Sequence, residues 1–165
     1  MKNLPLSLLS LLFIFSCSEN DSYSARVLNA DTENESWLLH GRTYDESRFS
    51  PLKDINDSNV AGLGLAWSFE TGTNRGHETT PIVVDGMMFI SAPWSVVFAL
   101  NPITGEKIWS FDPQADKAWA RNACCDVVNR GVAVWGDQVV FATIDGRLIS
   151  LDKESGEVNW DVLTI

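Results

Sequence analysis

The chain has 165 residues, with 12 Lys plus Arg against 22 Asp plus Glu and a formal net charge of −10. Its 45% hydrophobic and 21% charged content fits a folded globular chain rather than a disordered one. No cluster of basic residues occurs, which argues against a nucleic-acid surface, and acidity by itself speaks for solubility rather than for any substrate.

Lys2 precedes an apolar stretch from Leu4 to Phe15, about a dozen residues long. A bilayer span needs ~20, so residues 1–16 are expected to be a signal peptide. The stretch ends in Ile14-Phe15-Ser16-Cys17, close to a bacterial lipobox. Cys17 is therefore the expected lipidation site and the only expected membrane attachment. Phe15 is bulky for that motif, which leaves open an ordinary signal peptide with a chance cysteine. Either way the protein is expected in the periplasm, where thiols tend to pair. Residues 17–34 are polar and read as a tether, with the folded part over 35–165.

A repeat follows. Residues 98–109, ending in Asn101-Pro102-Ile103-Thr104-Gly105 and Trp109, align without a gap on residues 149–160, ending in Asp152 to Gly156 and Trp160, at an offset of 51. A partial third copy ends in the apolar strand Leu65-Ala66-Trp67-Ser68-Phe69. In the first full copy, strands are expected over Pro81–Val84, Met87–Ser91, Val96–Leu100 and Lys107–Phe111, with Asp85-Gly86 as a hairpin turn. Four strands per ~50 residues between Gly-rich turns is the signature of a β-propeller blade. The fold class is accordingly all-β, with about two blades present and helix scarce. In the turns, Asn101 or Asp152 and Thr104 or Ser155 are expected to bond the backbone while Gly turns left-handed. Each Trp then docks between neighbouring blades.

Cys124 and Cys125 are adjacent, and Cα atoms about 3.8 Å apart lie below the usual disulfide span of roughly 4.4–6.8 Å. A bridge there is strained and belongs at a site that uses a rigid shape. Two reduced thiols, or thiols paired elsewhere, remain open on spacing alone. Arg130 opens the second copy at the position matching Thr79, and Glu78 lies one position ahead of it in the first copy. Both are expected to face one axis. Arg130 has the donors to bind a carboxylate or a quinone oxygen. His77 and His40 lack partners at ligand spacing, so a structural role is expected for His77 while His40 stays unassigned. No Walker loop, Gly-x-Gly-x-x-Gly or Ser-His-Asp order occurs.

The strings Gly41 to Leu52, Arg75-Gly76-His77-Glu78, Trp94-Ser95-Val96-Val97 and Cys124-Cys125-Asp126-Val127-Val128-Asn129-Arg130-Gly131 together resemble the PQQ-dependent alcohol dehydrogenases. The likeness runs from about Trp37 to the end, and leans toward soluble or cytochrome-fused members rather than methanol dehydrogenase. It implies an eight-bladed propeller with the quinone PQQ on its axis. It further implies a vicinal disulfide of Cys124 and Cys125 covering one PQQ face, Arg130 bonding the quinone edge, and Glu78 at the cofactor's polar rim. The family's mechanism adds Ca²⁺ as Lewis acid, an Asp base, a small alcohol substrate and cytochrome c as electron acceptor. The Ca²⁺ ligands, the catalytic Asp and any haem c domain are expected beyond residue 165, and no Cys-x-x-Cys-His occurs. Two blades of eight cannot close a ring, so an incomplete portion, inactive alone, is expected. The competing reading is a lipid-anchored propeller scaffold of the outer-membrane assembly type, which needs no quinone pocket.

Overall fold

The computed structural model describes residues 19–165; the expected signal peptide and Cys17 lie outside them. Two four-stranded antiparallel sheets carry the fold. The first orders β1 (Ile82–Val84), β2 (Met87–Ser91), β3 (Val97–Leu100) and β4 (Lys107–Phe111) side by side. The second does the same with β5 (Ala133–Trp135), β6 (Gln138–Ala142), β7 (Arg147–Asp152) and β8 (Val158–Leu163). Adding 51 to β1 or β2 gives β5 or β6 residue for residue. The sequence offset is therefore a structural period, and each sheet is one propeller blade.

Side chains alternate across a strand, and here both faces of the first blade are covered. Phe89, Val97 and Ala99 join Trp109 and the second blade's Val139, Phe141, Ile149 and Leu151 in one core. Phe98 and Leu100 point the other way, against Phe69, Met88 and Ile90. That is why β3 is buried at every position. The turns follow the expected chemistry. Asn101 Oδ1 accepts from the Ile103 and Thr104 N–H at 2.8 and 3.1 Å, and Asp152 Oδ1 accepts from Glu154 and Ser155 at 3.1 and 2.8 Å.

Gly105 and Gly156 both have φ +74, and each lies under an indole. A Cβ on Gly156 would stand 2.7 Å from Trp109 Cδ2, and one on Gly105 would collide with Trp67 in the same way. Trp109 Nε1 donates to Lys153 O at 3.0 Å, and Trp67 Nε1 donates to Pro102 O at 3.1 Å. Pro102 and Lys153 are again one period apart. Each blade therefore seats the Trp of the segment before it.

Two expectations change. Leu65–Phe69 forms no strand, because among the described residues no strand lies beside it for its backbone to pair with, although its Trp docks as anticipated. The segment expected to be a tether contains helix α1 (Glu19–Leu28). Among the described side chains of α1, Tyr23 and Val27, four residues apart on one face, enter the core. Burial pushes the Tyr23 hydroxyl up to about 12, and that hydroxyl donates to Leu38 O at 3.3 Å.

Asp85, in the β1–β2 turn with φ +52, ties these parts together. It accepts from Arg26 of α1 at 2.9 Å and from Lys153 of the second blade at 2.7 Å. Burial alone would raise its carboxyl, but the Lys153 and Arg26 hydrogen bonds hold it below the usual range. Asp85→Ala leaves the largely buried Lys153 ammonium short of its best partner. Because Asp85 is more than a third exposed, the expected loss is about 1 kcal/mol, read by thermal unfolding. Adding Lys153→Met should cancel much of it; strictly additive losses would refute the coupling.

Candidate functional site

Two connecting segments run side by side into the blades, residues 72–81 into β1 and 123–132 into β5. The Thr80 N–H donates to Arg130 O at 3.2 Å. Ser91 ties both, its N–H donating to Thr79 Oγ1 at 3.0 Å and its hydroxyl to Asn129 O at 3.3 Å. The Asn129 side chain donates to Ala142 O and Ser95 Oγ, both at 3.0 Å, and accepts from the Gly131 N–H at 3.0 Å. A backbone fixed at so many points aims its exposed side chains reproducibly.

The four residues expected at the site fall into two pairs on these adjoining segments. Arg130 Nη2 lies 3.0 Å from Glu78 Oε2, with side chains 73% and 41% exposed. The Cys124 and Cys125 sulfurs face each other at 2.7 Å, both exposed. The cysteines carry no bond between them in the structure. The Cys125 thiol is pushed above its ordinary value, first by its hydrogen bond with Cys124 and that sulfur's charge, then by burial and by Glu78, with Arg130 opposing. Sulfurs, carboxylate and guanidinium thus share one electrostatic neighbourhood. It offers a polarizable double-sulfur surface beside an outward-facing donor fork.

His77 is held by Thr71, its Nε2 at 2.7 Å from Oγ1, and His40 Nε2 lies 3.2 Å from Arg48. Neither joins the cluster. Sequence reasoning missed Arg75, Trp94 and Asp126. Arg75 forms an ion pair with Asp126, and its guanidinium carbon is 5.7 Å from the Trp94 ring centroid. One signal was available, since Arg75 and Asp126 are themselves 51 residues apart and occupy equivalent positions in the two copies.

The "Glucose/ethanol/alcohol dehydrogenase, beta-propeller domain" family, of the PQQ type, matches residues 37–161. The quinohemoprotein alcohol dehydrogenase ADH-IIG of Pseudomonas putida is 53% identical over 140 residues, which are 85% of this chain and 20% of that protein. Its solved structure superposes with a TM-score of 0.83, covering 86% of this chain and 21% of that one. The quinohemoprotein alcohol dehydrogenase of Comamonas testosteroni superposes at 0.79 with 46% identity, covering 90% and 22%. The 1-butanol dehydrogenase (cytochrome c) of Thauera butanivorans is 46% identical over 129 residues, 78% of this chain and 19% of that protein. The chain thus spans about a fifth of the length of the curated relatives it matches. With the blade period, the docked indoles and residues 37–161 all in agreement, the chain belongs to the PQQ-type glucose/ethanol/alcohol dehydrogenase family and carries part of its β-propeller domain.

Proposed function

We propose that these blades form one wall of the quinone pocket of a periplasmic alcohol dehydrogenase. One observation carries the reading: the Glu78–Arg130 pair and the facing sulfurs of Cys124 and Cys125 stand exposed on adjoining segments that the blades hold in place. The residues fit an anionic, planar cofactor. Arg130 neutralises Glu78, so the pair meets a polycarboxylate without net repulsion and keeps free guanidinium donors for a quinone oxygen. The sulfur pair, once bridged, is a stiff platform for a flat ring.

PQQ, when held there, would supply the hydride acceptor for alcohol oxidation. This chain's own residues would bind and orient it: Arg130 would donate to the quinone edge, Glu78 would accept at the rim, and the cysteines would close one face. In the full-length protein, residues other than these would hold the metal ion, Ca²⁺ by the family's pattern, and supply the base. The relatives' names support a small alcohol as substrate, and that of the Thauera butanivorans protein supports a cytochrome c as acceptor. The scaffold reading offers no reason for the four residues to meet.

The test is reconstitution of the full-length protein with PQQ and Ca²⁺, followed by quinone retention and dye-linked alcohol oxidation. Retention and turnover are expected, with Arg130→Leu weakening retention about tenfold through the loss of charge-assisted bonds. No gain over the apo form would sink the proposal.

A further inference from the structure

The sulfur pair is held by a clasp to which neither cysteine belongs. Asp126, the next residue, has φ +70, and Trp94 and Ser95 have φ +66 and +60, a region that side-chain-bearing residues avoid. The two stretches that carry them are joined. The Trp94 N–H donates to Val127 O at 2.9 Å, and Ser95 Oγ accepts from Asn129 Nδ2 at 3.0 Å. The Arg75 guanidinium pairs with the Asp126 carboxylate. Arg75 and Lys117, at 5.7 and 5.8 Å from the Trp94 centroid, both approach that ring. The first blade therefore grips residues 126, 127 and 129, just downstream of the sulfurs, while Lys117 approaches from the upstream side.

We propose that Arg75 is a positioning residue for the cysteines: by pairing with Asp126 against Trp94 it fixes this turn so that the bridge closes with almost no further ordering. The inference rests on the preceding reading only for the use made of the bridge. On closure each thiol gives up its proton, the pair gives up two electrons, and one S–S bond forms. A small-molecule disulfide takes the electrons and protons, its own S–S bond breaks, and it leaves as two thiols. Sulfurs on adjacent residues that face each other have a high effective concentration for one another, and loosening the turn lowers it. The guanidinium and carboxylate are 48% and 37% exposed, so the ion pair with its ring contact supports a change of roughly fivefold.

The experiment equilibrates the full-length protein, without quinone, in buffers of a small dithiol and its disulfide, and counts free thiols at Cys124 and Cys125 by alkylation and peptide mass. Arg75→Gln should shift the equilibrium about fivefold toward the open pair, ~20 mV less negative for a two-electron couple. Arg75→Lys, which keeps the charge, should restore most of the difference. In the wild type, raising salt from about 0.05 to about 1 M should move the midpoint the same way, and Arg75→Gln should lose that response. The wild-type salt series decides the matter if the variant does not fold. A wild-type pair that never closes, identical midpoints for wild type and Arg75→Gln, or a salt-indifferent wild type overturns the proposal. Failure to retain quinone with this shift intact would instead strike the cofactor reading and leave the clasp standing.

Discussion

Trp109→Ala should destabilise the protein by about 4 kcal/mol, within the range of roughly 3–5 for removing a buried Trp. The ring is 9% exposed and in the core shared by both blades. Its centroid is 5.8 Å from that of Phe89, and the backbone of Gly156 closes its other contact. The cavity left behind cannot collapse, because the lining is sheet on one side and a tight turn on the other. The indole N–H adds its bond to Lys153 O, so Trp109→Phe should cost less, about 1 kcal/mol. Denaturant titration followed by circular dichroism measures both. A loss below about 1 kcal/mol for the Ala variant would show that the indole does not hold the blades together.

Acid should remove on the order of 2 kcal/mol from the wild type that Asp145→Asn has already lost. Burial would raise the Asp145 carboxyl, but hydrogen bonds from Thr143 and Arg147 and from the Asp116 N–H pull it down to about 2 from an ordinary 3.8. Its side chain is only 11% exposed. The folded state therefore binds this proton more weakly than the unfolded chain does. The contribution is fully present above the ordinary value and disappears as pH falls from about 4 through about 2. The group matters mechanically, since Arg147 also holds Asp161 at 2.8 Å and Pro113 O at 2.7 Å. The connector between the blades is thereby pinned to the second one. Stability curves near pH 6 and pH 2 should show the wild type and Asp145→Asn converging in acid; a constant gap would overturn the assignment.

The blades were legible because their information is local and repeated. The apolar alternation, the Asp-Gly and Asn-x-x-Thr-Gly turns and the 51-residue offset each constrain the same strands. The meeting of Glu78 with Arg130 was also legible, since the period places Thr79 and Arg130 at equivalent entrances. Helix α1 was hidden because, among its described side chains, it commits Tyr23 and Val27 alone to the core, too few to read as an amphipathic stripe. The left-handed corner at Trp94 and Ser95 left no trace, because neither residue type favours that conformation. Neighbouring chain imposes it through Val127 O and Asn129.

The direction in which the indoles point along the chain has a temporal consequence. Trp67 finds its carbonyl 35 residues later and Trp109 finds its own 44 residues later. A chain delivered from its N-terminus across a membrane therefore releases each ring well ahead of its seat. For that interval the emerging polypeptide displays an uncovered aromatic, and each newly formed sheet protects the one before it while leaving its own indole waiting.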